Sequence, residues 1–277
     1  WDILANWTKM TNTVLSLAPG VESIGLGGFT IPQTRAVAGR EYGSIYGNDW
    51  YRDPDTGAML VNDDPSDAYP DGYPMTDTRQ MVPVGDVNPD WTANITNTME
   101  FKGLRFSFMF DIKKGGWMYN GTAFAMNYFG VHKRTENREV YYTPEGTIDF
   151  DRTPEENLVV FDGVYGHVAA DGSPVSSGIE NVSPVVLDQA WFQGHGSNFG
   201  GGAQTASMEP ADWVRLRELT LGYTIPTQKK VVQFAEIYFT ARNLWLWTPY
   251  TGIDPETNLQ GSINGQGMDY FNMPGTK

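Results

Sequence analysis

The chain contains no cysteine, which removes disulfide scaffolds, thiol nucleophiles and thiolate zinc sites together. Basic residues are scarce: 19 Lys plus Arg stand against 33 Asp plus Glu in 277 residues, a formal net charge of -14. That balance argues against nucleic acid as a partner, because affinity there comes mainly from Lys and Arg neutralising phosphates. No apolar run approaches the roughly 18 residues of a membrane helix, and Trp1-Asp2-Ile3-Leu4 carries no basic stretch leading into an apolar one. Crossing a membrane by strands stays open, since a transmembrane strand needs only about 9 to 11 alternating residues.

Gly (31), Pro (17) and 13% aromatics point to many short strands joined by turns, an all-β chain, and 40% hydrophobic residues suffice for a sizeable core. The cleanest period of two runs from Leu104 to Ile112, with Leu104, Phe106, Phe108 and Phe110 on one face and Arg105, Ser107 and Asp111 on the other. Ala93, Ile95, Met99 and Phe101 alternate just before it, and Lys102-Gly103 supplies the turn of a tight hairpin. Ala235, Ile237, Phe239 and Ala241 alternate with Glu236, Tyr238, Thr240 and Arg242, ending at Trp245 and Trp247. Trp1 to Met10, Thr34 to Gly47 and Trp213 to Thr224 are further strand candidates. In the last, Leu216 and Leu219 lie three apart, so the apolar face changes sides near Arg217 or Glu218, as a bulge would cause.

With strands at 1–10, 34–47, 91–102, 104–114, 211–224 and 232–247, the connections are very uneven. Lys102-Gly103 and Pro226-Thr227-Gln228-Lys229-Lys230 are short, whereas 48–90, 115–210 and 248–277 are long and polar, and all fall at one end. Residues 10–33 make a medium connection at the other end. Short turns opposite long loops are the pattern of an outer-membrane β-barrel, although alternation alone fits a β-sandwich with one wet face equally well. Within 115–210 a short helix is expected near Thr122 to Phe129 and a small strand near Leu158 to Phe161.

The segment Ala211-Asp212-Trp213-Val214-Arg215-Leu216-Arg217-Glu218-Leu219-Thr220-Leu221-Gly222-Tyr223-Thr224-Ile225-Pro226 resembles a near-C-terminal segment of SusC/RagA-type TonB-dependent outer-membrane transporters of the Bacteroidota. Ile237-Tyr238-Phe239-Thr240-Ala241-Arg242-Asn243-Leu244-Trp245 is similar to that family's penultimate strand, and Tyr250-Thr251-Gly252-Ile253-Asp254-Pro255-Glu256 to the loop after it. Gly43-Ser44-Ile45-Tyr46-Gly47, Gly85-Asp86-Val87-Asn88-Pro89-Asp90-Trp91 and Gly115-Gly116-Trp117-Met118-Tyr119-Asn120-Gly121-Thr122 agree in the same order. The resemblance implies that residues 1–277 form the C-terminal part of an antiparallel transmembrane barrel of about 22 strands. The plug, the TonB-contacting segment and the final strand are expected in other residues of the same protein. It implies TonB-dependent import of a large nutrient, an oligosaccharide or a peptide with the sugar favoured. The implied partners are a SusD-like surface lipoprotein, TonB and outer-membrane lipid, in a Gram-negative outer membrane. The alternative is a secreted all-β carbohydrate-binding module.

On the barrel reading Leu104, Phe106, Phe108, Phe110, Ala235, Ile237, Phe239 and Ala241 meet lipid, Arg105, Asp111, Glu236 and Arg242 face a polar lumen, and Trp245 and Trp247 sit at the headgroup level. Trp50, Tyr51, Tyr69, Tyr73, Tyr141, Tyr142, Trp191 and Phe192, set among Asp and Asn in the long loops, are candidates to contact substrate or the lipoprotein lid. Asp53, Asp55, Asp63, Asp64 and Asp67 are dense enough to consider Ca2+, without the spacing of an EF-hand. No metal or cofactor is expected. His132, His167 and His195 have no ligand spacing, Asp149, Asp151, Glu155 and Glu156 fit one solvated turn better than a glycosidase pair, and Gly25-Leu26-Gly27-Gly28 reads as a flexible turn rather than a dinucleotide site. No catalytic residue is assigned, and the chain is read as a non-enzyme.

Overall fold

The computed structural model describes residues 1–64, 69–136, 139–197, 199, 201–227, 234–259 and 266–272. Among them, five strands form one antiparallel sheet: β1 (Asp2–Thr8), β2 (Trp91–Phe101), β3 (Leu104–Lys114), β4 (Trp213–Ile225) and β5 (Ala235–Trp247), in that spatial order. β2 and β3 pair from Trp91↔Lys114 to Phe101↔Leu104. Lys102 and Gly103 both adopt positive φ, the requirement of a two-residue turn whose twist matches the flanking strands.

The register assembles one apolar face from five separate alternations. Trp7, Ala93, Ile112, Val214 and Trp247 lie in one row across the sheet; Phe101, Leu104, Tyr223 and Ile237 close the opposite end. Phe106, Phe108 and Phe110 stack along β3 at 5.7 and 5.8 Å between ring centroids. This face is uncovered: Phe239 is 68% exposed, and Ile3, Phe101 and Ile237 are exposed too. A sandwich would have buried it. The other face is knitted by polar pairs, Asn94 to Asp111 at 2.7 Å, Thr98 with Ser107 at 3.1 Å and Thr220 with Thr240 at 2.9 Å.

The bulge falls where Leu216 and Leu219 indicate. Against β3, Leu216 pairs Phe110 and Glu218 pairs Met109, leaving Arg217 as the extra residue and returning Leu219 to the apolar face. On β5 the same irregularity is absorbed by Asn243 at φ 51.

One strand assignment is corrected. Thr34 to Gly47 is not a barrel strand; β1 pairs β2 directly, from Asp2↔Thr98 to Thr8↔Thr92. Positive φ at Gly39 and Gly43 breaks the stretch into Gln33–Val37 and Ser44–Trp50, which join Ser23–Gly28 and Thr76–Gly85 in a separate four-stranded sheet. Gly25 to Gly28 is therefore strand rather than a flexible turn, and residues 10–33 belong to the long-loop end, not the opposite one. The whole of 9–90 is a single excursion, and it leaves from the same end as the excursions after β3 and β5. Gln228, Lys229 and Lys230 of the short β4–β5 connection lie outside the described residues.

The excursions carry their own cores. Helix α1 (Gly121–Phe129) forms where expected, capped by the Asn120 side chain accepting from the Ala123 N–H at 3.0 Å and ended by Gly130 in the left-handed region. Leu158–Val159 pairs Val185–Val186, and α2 (Gln189–Gln193) starts from the Asp188 cap. Ile45, Val87, Tyr119, Phe124 and Met268 form one buried cluster drawn from all three excursions.

Candidate functional site

The site lies where the excursions meet the loop end of the polar face. β3 leaves the sheet through Gly115 and Gly116, at φ 84 and 86, where a side chain would strike Asp90 and the Val87 carbonyl. Asp212 gathers the adjacent strand ends, accepting from the Gly115 N–H at 2.6 Å and pairing with Lys114. The Trp117 N–H then donates to the Asp86 carbonyl at 2.7 Å, and Ser44 Oγ donates to Asp86 at 2.5 Å.

The third excursion folds back over this junction. Asn120 Nδ2 donates to Glu209 at 2.9 Å, Glu209 accepts from the Thr251 N–H at 2.7 Å, and Thr122 Oγ1 donates to Asp269 at 3.0 Å. Tyr250 is buried against Met118 and Ala211 and donates to Asp269 at 2.8 Å; burial pushes its phenol far above the ordinary range. Six sequence segments scattered along the chain thus form one packed joint.

Below it sits a charge cluster. Arg215 Nη2 contacts Asp254 at 2.7 Å and Glu256 at 3.1 Å, and the bulged Arg217 contacts Asp111 at 2.7 Å and also Glu256. The Arg215 side chain is only 7% exposed. The bulge serves this geometry: it puts Arg217 on the polar side beside Glu218, so two guanidinium groups two residues apart reach the Asp254-Pro255-Glu256 loop.

The loop aromatics divide unequally. Tyr51, Tyr73, Trp191 and Phe192 are buried, and Trp50 and Tyr69 are half-buried against the same clusters. Tyr73 packs edge-on to Trp191 at 5.0 Å and donates to the Val186 carbonyl at 2.9 Å, which makes it a pillar of the loop core rather than an open contact surface. Tyr141 and Tyr142 remain exposed, Tyr142 at 53%, with the Arg152 guanidinium over the Tyr141 ring at 4.5 Å. A cavity of about 200 Å³ opens between α1 and α2, bordered by Trp50, Trp191 and Phe192.

Asp53 is structural. It accepts from the Asp55 and Thr56 N–H groups at 2.8 and 2.9 Å and from Ser176 Oγ, so its oxygens are occupied without a cation. Asp67 lies outside the described residues, and among the described residues no group of three His, Asp or Glu is arranged to hold a metal. The Ser176 hydroxyl first, then the Thr56 and Asp55 N–H groups, lower the Asp53 carboxyl from 3.8 to about 2. A depressed carboxyl stabilises the folded turn above its unfolded value and loses that contribution as pH falls from about 4 to about 2. Ser176→Ala is expected to raise the Asp53 pKa and move this window upward, as followed by carboxyl carbon NMR; an unchanged titration would refute the assignment.

The histidines are dispersed. His132 caps a short turn, His167 lies 3.9 Å from Asp63, and His195 stacks on Tyr69 at 4.5 Å and is held neutral-favouring by burial. Asp149 binds back to its own turn through the Arg152 N–H at 3.3 Å.

No family model matches the chain. It is 24% identical over 301 aligned positions to TonB-dependent receptor P3 of Formosa agariphila, an alignment covering 100% of this chain and 26% of the relative. It is 28% identical over 196 positions to TonB-dependent receptor P26 of the same organism, 69% of this chain and 16% of the relative. Two solved structures of the RagAB peptide importer match with TM-scores of 0.54 (closed-closed state, 21% identity) and 0.53 (open-open state, 19%), covering 98% and 96% of this chain. The chain has the fold of part of a SusC/RagA-type TonB-dependent barrel. It spans about a quarter of the chains in those structures, 26% and 24%. The open edges of the sheet at β1 and β5 are accordingly strand edges of a partial barrel, and the described residues form no closed cylinder.

Proposed function

We propose that the protein to which this segment belongs is a TonB-dependent importer of a large nutrient, an oligosaccharide or a peptide with the oligosaccharide favoured, and that it performs no chemistry on its cargo. The observation that carries this reading is the five-stranded sheet itself, with one uncovered apolar face and all three long excursions at one end. From Trp91 to Phe101 the apolar band is ten residue steps, about 34 Å along the strand and ~24 Å once tilted by about 45°, close to the height of an outer-membrane hydrophobic belt. Trp7, Trp91, Trp245 and Trp247 mark the loop-side border, where indoles suit the headgroup level. Leu104, Phe106, Phe108, Phe110, Ala235, Ile237, Phe239 and Ala241 then meet lipid, and the polar face lines the lumen.

The excursions lie on the outer surface and form, with the rest of the barrel, the mouth that receives the nutrient. A surface lipoprotein of SusD type covers that mouth, and energy reaches the barrel through TonB by way of the remainder of the protein. The structural likeness to RagAB, a peptide importer, supports the import reading. The test is the location of the full-length protein after membranes are separated from soluble material, with mass spectrometry of what co-purifies in mild detergent. Recovery in the outer membrane with a lipoprotein is expected; a soluble, unaccompanied monomer would overturn the proposal in favour of the secreted module.

A further inference from the structure

His195 sits on the seam between the first two excursions. Its half-buried ring lies 4.5 Å from that of Tyr69 and 6.4 Å from that of Tyr73, both in the first excursion, and 6.3 Å from Trp191 in the second. The turn that presents it is tightly built. The Gly194 and Gly196 N–H groups donate to the Ala190 and Trp191 carbonyls at 2.9 and 2.8 Å, and a side chain on Gly196 or Gly202 would strike the Trp191 indole or the His195 carbonyl. A few residues on, Gln204 Oε1 accepts from the Asn48 N–H at 2.8 Å, and a side chain on Gly47 would strike Gln204. The His195 turn and the Gln204 contact thus tie the second excursion to the first. We propose that His195 is a pH-sensitive catch on this seam, and that protonation expels its imidazole from the aromatic stack and loosens the two excursions from each other.

The surroundings suit the neutral ring and not the charged one. Among the described residues no side-chain hydrogen bond or ion pair reaches the imidazole, whereas an imidazolium carries two N–H donors that each need an acceptor. The neighbouring hydroxyls are already committed, Tyr69 donating to the Thr76 carbonyl at 3.3 Å and Tyr73 to the Val186 carbonyl at 2.9 Å. Burial, with Asp188 adding to it, pushes the Tyr73 phenol up to about 12, so it supplies no negative charge. Arg134 and Glu209, of opposite charge, border the same cavity as His195, and Glu209 is held by Asn120 and Thr251. Attraction of a cation to the Tyr69 face opposes expulsion, but a ring face replaces neither lost acceptor. Burial accordingly pushes the imidazole below its ordinary 6.5. The loosened state then binds the proton more readily than the packed one, so the seam is intact above 6.5 and weakens as pH falls below it. The cavity of about 200 Å³ beside the ring gives the proton its route.

The inference concerns packing within this segment and stands apart from the import reading, to which it adds loops that part in acid. The experiment uses the full-length protein in detergent and compares hydrogen exchange at about pH 7.5 and about pH 5, corrected for the intrinsic rate. Protection of the amides of residues 194–197 and 201–207 is expected to fall several-fold at the lower pH, while the hairpin from Trp91 to Lys114 keeps its protection. His195→Phe keeps a ring in the stack without a titrating group and is expected to remove the fall. His132→Gln and His167→Gln are expected to leave it, the latter because His167 lies 3.9 Å from Asp63, where a positive charge is favoured. Protection that ignores pH, or a fall that survives His195→Phe, overturns the proposal. Should His195→Phe not fold, the wild-type imidazole is titrated by proton NMR, its resonance assigned by loss in His195→Gln. A midpoint below 6.5 is expected, and one at or above 6.5 overturns the proposal. Loss of the pH response with recovery in the outer membrane would remove this inference and leave import standing.

Discussion

Arg215→Ala is expected to destabilise the loop–sheet junction by about 3 kcal/mol, the low end for removing one partner of a buried ion pair. Arg215 is almost fully enclosed, whereas Asp254 and Glu256 keep side-chain exposures of 18% and 31%, so part of the penalty is relieved by water. Glu256 also keeps its contact with Arg217; Asp254 bears most of the loss. The effect is local. Hydrogen exchange of residues 250–259 in the full-length protein is expected to accelerate on the order of a hundredfold, the equivalent of that free energy. Adding Asp254→Asn to Arg215→Ala is expected to recover part of the stability, since it removes the stranded charge. Arg242→Ala, which breaks the exposed pair with Glu218, supplies the contrast: with 75% of the arginine side chain exposed, it is expected to cost less than about 1 kcal/mol. Equal effects of Arg215→Ala and Arg242→Ala would show that the cluster does not hold the third excursion in place.

The sheet was legible because its signal is local. A period of two along 104–112 and 235–241 needs no partner to be seen, and the three-residue step between Leu216 and Leu219 announced the bulge at Arg217. The loop-side sheet was not legible for the opposite reason. Thr76–Gly85 reads Thr-Asp-Thr-Arg-Gln-Met-Val-Pro-Val-Gly, with no alternation, because both of its faces lie in mixed surroundings and its pairing with Ser44–Trp50 slips at two places. Ser23–Gly28 hid behind its glycines. The loop aromatics show the same limit on function: type and neighbours made Tyr73 and Trp191 candidates for contact, but only the fold shows that they bury each other.

Phe108→Arg is expected to cost about 2–4 kcal/mol, while Ser107→Arg one position away is expected to cost no more than about 1 kcal/mol, mostly from the lost contact with Thr98. Phe108 lies at the middle of the central strand, between Asn97 on β2 and Leu219 on β4, on the uncovered face. If that face meets hydrocarbon, a guanidinium there is either stripped of water or draws water into the bilayer, and both are unfavourable. Ser107 points into the polar side, where an added arginine stays hydrated. The two substitutions lie one residue apart on the same strand at nearly the same distance from the turn, and the main difference between them is the face on which the new arginine sits. The measurement is the urea midpoint for insertion of the full-length protein into phospholipid vesicles. A large cost at Phe108 with a small one at Ser107 is expected; equal costs, or the reverse order, would refute the assignment of the apolar face to lipid. The same comparison in detergent micelles should preserve the sign, because what is tested is the parity of the strand, and parity is set by the register from Trp91↔Lys114 to Phe101↔Leu104.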